Sequence, residues 1–273
     1  MSQSKEWARL DVQASAQKKK SYRDPKTGYH VFSTYGLLFR KDCCGCGCRH
    51  CPFGYVHVPE AKRHLFEKNP WIEFNTPEHR HVDVVSWSGG KDSYLALCDL
   101  QKERKRSVVL LNTFDGRTEK VAHQDVTLSM IRKQAESLAL PLLFIPLYPH
   151  VPYLTRISQG LSLIAQYHTV HRLVFGDLHL QHVREWREKE LEPICKQYRI
   201  SLHFPLWQVD YQTLHARLRE APVECRISAI DHAECEKTFL VGDLYNEDLI
   251  SKLPKGVDSF GENGEFHTYV SIS

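Results

Sequence analysis

No stretch of about 18 consecutive apolar residues occurs in the 273-residue chain, so no membrane-spanning helix is expected. The first twenty residues lack the apolar run of a secretory signal and end in Lys18-Lys19-Lys20, which predicts a cytoplasmic, reducing location. A strong charge excess is also missing. Lys and Arg number 36 against 33 Asp and Glu, a formal net charge of +3, which gives only weak support for a nucleic-acid partner such as tRNA. Internal repeats and low-complexity tracts are absent. So is the G-x-x-x-x-G-K spacing of the Walker phosphate loop, which excludes that class of nucleotide site.

Nine cysteines are present, an odd number, and in a reducing location they read as thiols or metal ligands rather than disulfides. Five of them fall between Cys43 and Cys51. Sixteen histidines make the surface charge depend on pH near neutrality. An apolar share of 42% is enough for a real core.

Three regions are expected. Residues 1–78 form a cysteine-rich module and linker, 79–205 a nucleotide-binding domain and 206–273 a C-terminal substrate-binding lobe. Within the first, residues 1–25 are polar and expected to be mobile. Tyr29–Arg40 is aromatic and β-branched, which predicts a strand or hairpin. A short helix is expected over Tyr55–Lys68, then a linker around Asn75–Glu78. From His81 the pattern changes. Strands are predicted at 81–87, 108–114, 142–147, 173–175 and 202–204, alternating with helices at 94–104, 123–139, 153–168 and 183–197. Such alternation predicts an α/β fold with a parallel sheet and helices on both faces. Ligands of such sheets lie beyond the carboxyl ends of the strands.

Two segments fall at those ends. The first is Ser86-Trp87-Ser88-Gly89-Gly90-Lys91-Asp92-Ser93. Gly89 and Gly90 permit a sharp turn and close approach to a ligand. The following helix offers unpaired N–H groups to phosphate. Lys91 supplies a cation, Ser88 and Ser93 supply hydroxyls, and Asp92 either orients the loop or holds Mg²⁺. A bare glycine turn capping a helix is the plain alternative. The second segment is Gly176-Asp177, followed by a polar helix carrying Arg184, Trp186 and Arg187.

Ser88–Ser93 resembles the pyrophosphate loop of the N-type ATP pyrophosphatases. That resemblance implies a five-stranded parallel sheet with helices on both faces, the adenine nucleotide alpha hydrolase-like (HUP) fold. It also implies cleavage of ATP between the α and β phosphates. Gly176-Asp177-Leu178, Pro205-Leu206-Trp207 and the closing string Gly261-Glu262-Asn263-Gly264-Glu265-Phe266-His267-Thr268 resemble the diphthine–ammonia ligase (diphthamide synthetase) family, in that family's order. Pro222–Ile227 departs from its pattern. The resemblance implies an ATP- and Mg²⁺-dependent ligase that adenylates a carboxylate and takes ammonia, with elongation factor 2 as a protein substrate where diphthamide is made. A tRNA-thiolating enzyme and a non-catalytic nucleotide sensor are the rivals on the same loop.

The site expected from these motifs has Lys91, Asp92, Ser93 and His267 as catalytic residues. ATP is bound by Ser86, Ser88, Gly89, Gly90, Lys91, Asp92, Ser93, Gly176 and Asp177. The acceptor side is formed by Arg184, Glu262, Gly264, Glu265, Phe266, His267 and Thr268. Glu262 and Glu265 suit a cationic group or ammonium, and His267 suits proton transfer. A solvated glycine hairpin is the plain alternative for this string.

The cysteine string contains two C-x-x-C pairs, Cys43/Cys46 and Cys48/Cys51. Thiolates at this spacing suit one soft ion, zinc or an iron–sulfur cluster. A redox or sulfur-carrying role and a packed cysteine knuckle are the alternatives. Trp71, Trp87, Trp186 and Trp207 read as packing residues. His168, His171, His179 and His182 cluster near the fourth strand, at the expected active edge. Lys102–Arg106 reads as an exposed helix end.

Overall fold

The structure, a computed structural model, describes residues 3–53, 55–63, 68–73, 80–103, 106–116, 118–121, 124–148 and 151–272. The chain divides into two units, Met1–Trp71 and Ile72–Ser273. The linker expected at Asn75–Glu78 and the helix start expected at His123 lie outside the described residues.

The first unit contains α1 (Gln3–Ala16), β1 (Ser21–Arg23), β2 (His30–Phe32), α2 (Thr34–Leu38) and α3 (Glu60–Arg63). Two expectations change here. The polar start, expected to be mobile, is a helix whose Ala14 is buried. Tyr29–Arg40 is not one hairpin, because β2 ends at Phe32 and Ser33 caps α2 by accepting from the Gly36 N–H at 3.0 Å. β1 and β2 pair antiparallel, with Tyr22 opposite Val31.

The second unit carries a six-stranded sheet in the order β3-β6-β5-β4-β7-β8. Its strands are β3 (Trp71–Glu73, at the boundary of the units), β4 (His81–Ser86), β5 (Ser107–Asp115), β6 (Leu142–Leu147), β7 (Thr169–Val174) and β8 (Ser201–His203). The helices between them are α4 (Lys91–Glu103), α5 (Leu128–Ser137), α6 (Tyr153–Ala165) and α7 (Gln181–Tyr198). Pairs β6–β5, β5–β4, β4–β7 and β7–β8 are all parallel. The five strands expected from the sequence are therefore joined by a sixth. The three residues of β3 lie just after Pro70 and are too few to show a period.

Strand parity sorts the two faces. Val82, Val84, Val109, Leu111, Leu143 and Ile145 pack with Ile157 and Leu161 of α6 and Leu191 and Ile194 of α7. The other parity, Val85, Leu110 and Phe144, is equally buried. Arg132 of α5 lies over the Phe144 ring, 5.1 Å from its centroid, which puts α5 on that second face. Being buried on both faces explains why β6 reads as a continuous apolar run.

The chain continues through α8 (Tyr211–Glu220), β9 (Val223–Ile230), α9 (Ala233–Glu236), α10 (Glu247–Ser251) and β10 (Phe266–Ile272). β9 and β10 pair antiparallel, with a bulge opposite His267/Thr268. The boundary expected at 205/206 falls inside this second unit. Among the described residues no helix is long and apolar enough to cross a membrane.

Candidate active site

β4 is the central strand at which the order reverses, with β5 and β6 to one side and β7 and β8 to the other. The crevice beyond its carboxyl end is where such sheets bind ligands. Ser86 ends β4, and Trp87–Gly90 turn the chain into α4, which starts at Lys91. Gly89 has φ +84°, a left-handed conformation that strains any residue with a Cβ. The end of β7 comes equally close. A Cβ on Gly176 would meet the backbone C and O of Asp92 at 2.7 Å.

The turn is fixed largely by the far end of the chain. The Lys91 N–H donates to Thr268 Oγ1 at 3.2 Å, and the Val270 N–H donates to the Gly89 carbonyl at 2.9 Å. A Cβ on Gly90 would meet the Thr268 carbonyl at 2.9 Å. Gln134 of α5 donates from Nε2 to the carbonyls of Gly89 (2.9 Å) and Val270 (2.6 Å), while its Oε1 accepts from Trp87 Nε1 at 2.8 Å. Asn112 donates to the Trp87 carbonyl at 2.8 Å. Ser93 Oγ donates to the Gly90 carbonyl at 2.9 Å and lies 3.3 Å from Ser88 Oγ. One loop is thus held by β5, α5 and β10.

Lys91 is only 2% exposed. Its Nζ donates to the Phe260 carbonyl at 2.7 Å and to Asp92 Oδ2 at 3.0 Å, beneath the rings of Phe260 and Tyr245. Asp92 Oδ1 is buried with no hydrogen-bond partner among the described residues. A buried, unpartnered carboxylate oxygen is costly unless a donor or cation meets it. It therefore fits one ligand position of Mg²⁺, a hard ion that usually takes one or two carboxylates plus phosphate oxygens. Among the described residues no set of three or more His, Cys, Asp or Glu converges as a metal cage.

The closing string splits by function. Glu262 faces the loop. Burial and the Asp92 carboxylate push its carboxyl up to about 7, against the pull of Lys91, with Asp258 and Asp177 adding to the rise. Glu265, expected to face the acceptor, instead closes its own turn. It is buried and accepts from the N–H groups of Asp258 (2.9 Å) and Asn263 (3.0 Å) and from Asn263 Nδ2 (3.1 Å). Phe266 is 1% exposed, packed against Phe239 and Tyr245. Gly264 has φ +83° with open space beside it. Strand alternation puts His267 on the opposite side of β10 from Thr268, and its Nε2 lies 3.3 Å from Asp231 Oδ2. Thr268, not His267, meets the loop.

On the β7 side, Asp177 is held by Arg187 through two bonds of 2.6 and 3.0 Å. Arg184 lies over the rings of Trp207 (4.6 Å) and Phe204 (5.0 Å) and pairs with Glu188 at 2.8 Å. Trp186 is 45% exposed, not core. The expected histidine cluster also divides. His171 faces His81 at 2.8 Å, near the amino ends of β7 and β4 and far from the loop. His179 lies 3.2 Å from the Tyr211 hydroxyl, which donates to Asp258 at 2.8 Å.

Several residues at the site carry no local sequence signal. Cys225 of β9 lies near Lys91 and Thr268, and burial pushes its thiol up to about 12. Tyr211, His215 and Tyr245 surround Phe260. His215 is pulled below its ordinary value by burial and by the Lys91 cation. Gln134 did leave a trace: it falls three residues after Ile131, a polar residue on the apolar stripe of α5.

In the first unit the cysteines do not form the expected C-x-x-C pairs. Cys44 Sγ lies 3.3 Å from Cys48 Sγ, and Cys51 Sγ lies 3.8 Å from Cys43 Sγ. Cys43, Cys46, Cys48 and Cys51 therefore do not converge as one ligand set.

Comparison with known proteins agrees with the loop and the sheet. Residues 82–201 match the diphthamide synthase N-terminal domain. The matched span begins in β4 and takes in the loop Ser88–Ser93 and β5, β6 and β7. Residues 10–57, which include the cysteine string, match a family of unknown function, DUF5522. Among solved structures, a predicted subunit of tRNA methyltransferase from Methanocaldococcus jannaschii is 19% identical, with a TM-score of 0.38 over 54% of this chain and 80% of that one.

Proposed function

We propose that the protein is an ATP-dependent ligase that adenylates a carboxylate, releases pyrophosphate and passes the acyl group to ammonia, as a diphthine–ammonia ligase does. The observation that carries the reading is the loop Ser88–Ser93, clamped at the carboxyl end of β4 within a diphthamide synthase-type domain.

The carboxylate oxygen of the acceptor attacks the α-phosphorus of ATP, and the bond to the β-phosphate breaks. The loop N–H groups at the start of α4 and the Lys91 cation bind the departing pyrophosphate. The Ser88 and Ser93 hydroxyls position the phosphate oxygens. Asp92 Oδ1 would hold Mg²⁺, which supplies charge neutralisation when bound. Ammonia then attacks the acyl carbon and AMP leaves. Glu262, whose carboxyl titrates near neutrality, takes the proton that the incoming nitrogen loses. Arg184, on its aromatic shelf, is assigned to bind the acceptor, and Thr268 orders the loop. His267 is assigned to the acceptor half of the reaction, acting from the far side of β10. Elongation factor 2 is the proposed protein substrate in a source that makes diphthamide.

The test is product analysis with ATP, Mg²⁺, ammonium and diphthine-bearing elongation factor 2. AMP and pyrophosphate in step with amide formation support the reading. ADP and phosphate as the sole products refute it.

A further inference from the structure

The cysteine string of the first unit takes no part in the chemistry above, and its geometry divides it into two unlike thiol pairs. Cys44 and Cys48 are 3.3 Å apart at their sulfurs, on the accessible side, with Cys44 exposed and Cys48 partly so. Cys43 and Cys51 are 3.8 Å apart, with Cys43 buried. The pairing follows from the backbone. Gly45 and Gly47 have φ values of 73° and 65°, and two left-handed residues in alternation double the chain back so that positions four apart meet.

The frame beneath this turn is fixed. Asp24, fully buried, pairs with Arg49 at 3.0 Å. Arg49 lies 3.7 Å over the Trp7 ring. The Tyr22 hydroxyl lies 2.7 Å from His50 Nε2, and Tyr55 donates to the Arg49 carbonyl at 3.2 Å. His57 Nδ1 lies 2.7 Å from the Cys43 carbonyl. These contacts anchor both ends of the string and leave Cys44, Cys46 and Cys48 as the part that reaches solvent, with the Cys46 thiol turned to the Cys44 carbonyl at 3.5 Å. A disulfide needs sulfurs about 2.05 Å apart, so closing this pair requires a shift of about 1 Å.

We propose that Cys44 and Cys48 are a redox-active dithiol that closes to a disulfide by exchange with a small-molecule disulfide. The Cys44 sulfur attacks one sulfur of the disulfide RSSR. The S–S bond breaks, RS⁻ leaves, and Cys44 carries a mixed disulfide. The Cys48 sulfur then attacks Cys44, the mixed bond breaks, and the second RS⁻ leaves. The two cysteine thiols are oxidised and RSSR is reduced to two RSH, the two cysteine protons passing to the leaving sulfurs. Cys43 and Cys51 stay reduced. The inference is independent of the ligase reading, since it concerns the other unit of the chain.

The full chain is equilibrated in buffers of reduced and oxidised glutathione, acid-quenched, alkylated and digested with trypsin. Cleavage after Lys41 and Arg49 places Cys43, Cys44, Cys46 and Cys48 on one peptide and Cys51 on the next. The expected product is that first peptide lighter by two hydrogens, with Cys43 and Cys46 alkylated, and restored by dithiothreitol. Cys48→Ser should accumulate glutathione on Cys44 at least tenfold over the parent chain. Cys46→Ser should still close the Cys44–Cys48 bond, which separates a specific pair from a reactive cluster. Circular dichroism confirms that each variant keeps its fold. A Cys43–Cys51 cross-link as the main product overturns the inference. So does failure of Cys44 and Cys48 to close in oxidised glutathione, or one tightly bound metal ion that protects all the thiols.

Discussion

The backbone N–H of Lys91 and the Thr268 hydroxyl oxygen, 177 positions apart in the chain, are 3.2 Å apart in space. The phosphate loop is therefore not finished by its own strand and helix. β10 completes it, and the match to the diphthamide synthase domain ends at residue 201, well before β10. Thr268→Val removes the acceptor while keeping the shape. ATP cleavage should fall about tenfold, the effect of about 1.4 kcal/mol lost from one hydrogen bond that orders the loop. Thr268→Ser should retain most activity. Equal loss in both variants would show that the methyl group, not the hydroxyl, matters.

Gln134 makes three bonds in a fully buried setting, to Gly89, Val270 and Trp87. Gln134→Leu removes the partner of the Trp87 indole N–H and a donor to the Val270 carbonyl, and leaves the Gly89 carbonyl with the Val270 N–H alone. Each such group costs about 1–3 kcal/mol, so melting temperature should drop by several degrees and nucleotide affinity should weaken with it. Gln134→Glu, which keeps the acceptor but loses both donors, should be no better. Normal nucleotide affinity in the folded Leu variant would show that Gln134 serves stability alone.

Asp92→Ala removes the buried oxygen assigned to Mg²⁺. Turnover should fall by about 10²–10³-fold, as for loss of one contact to developing charge, and the Mg²⁺ concentration for half-maximal rate should rise in Asp92→Asn. A variant with unchanged Mg²⁺ dependence would place the ion elsewhere.

The sheet was legible because β5 and β6, buried on both faces, read as apolar runs, and short apolar segments in β4, β7 and β8 alternate with helical periods. The loop was legible because its glycines, lysine and serines are contiguous. β3 was not, since three residues carry no period. The division of labour in Gly261–Thr268 was also hidden: composition shows two glutamates, but only the fold shows that Glu265 accepts three N–H bonds of its own turn while Glu262 faces Asp92. The cysteine spacing suggested C-x-x-C pairs because sequence distance says nothing of glycine φ values, and the two positive-φ glycines pair Cys44 with Cys48 instead.

Glu265 and His267 should separate by what they break. Glu265→Gln loses part of a buried acceptor set and should lower stability by about 1–3 kcal/mol, visible in a denaturant titration. His267→Ala removes a partly exposed ring paired with Asp231. It should change melting temperature by no more than a few degrees and leave ATP cleavage within about threefold of the parent, with any effect confined to amide formation. Loss of ATP affinity in His267→Ala would move this residue to the nucleotide site.

Glu262 ties stability to pH in a direction opposite to that of an ordinary carboxylate. Burial, with Asp92 second, raises its pKa in the folded chain from 4.5 to about 7. The folded state then holds this proton more tightly than the unfolded state does. Its contribution is fully present below the unfolded value near 4.5 and is lost as pH rises through about 7. Glutamine cannot ionise, so Glu262→Gln should gain melting temperature relative to the parent on going from pH 5 to pH 8. The same ionisation sets its chemistry. Only the carboxylate form accepts a proton, so amide formation in the parent should rise through about pH 7, and in Glu262→Gln it should be slow and lack that rise. ATP binding should be retained in the variant, since removing one negative charge beside Asp92 does not weaken phosphate contacts. A melting-temperature difference that is flat from pH 5 to pH 8 would mean that the Glu262 pKa is not raised, and the rise of amide formation through about pH 7 would have to come from another group.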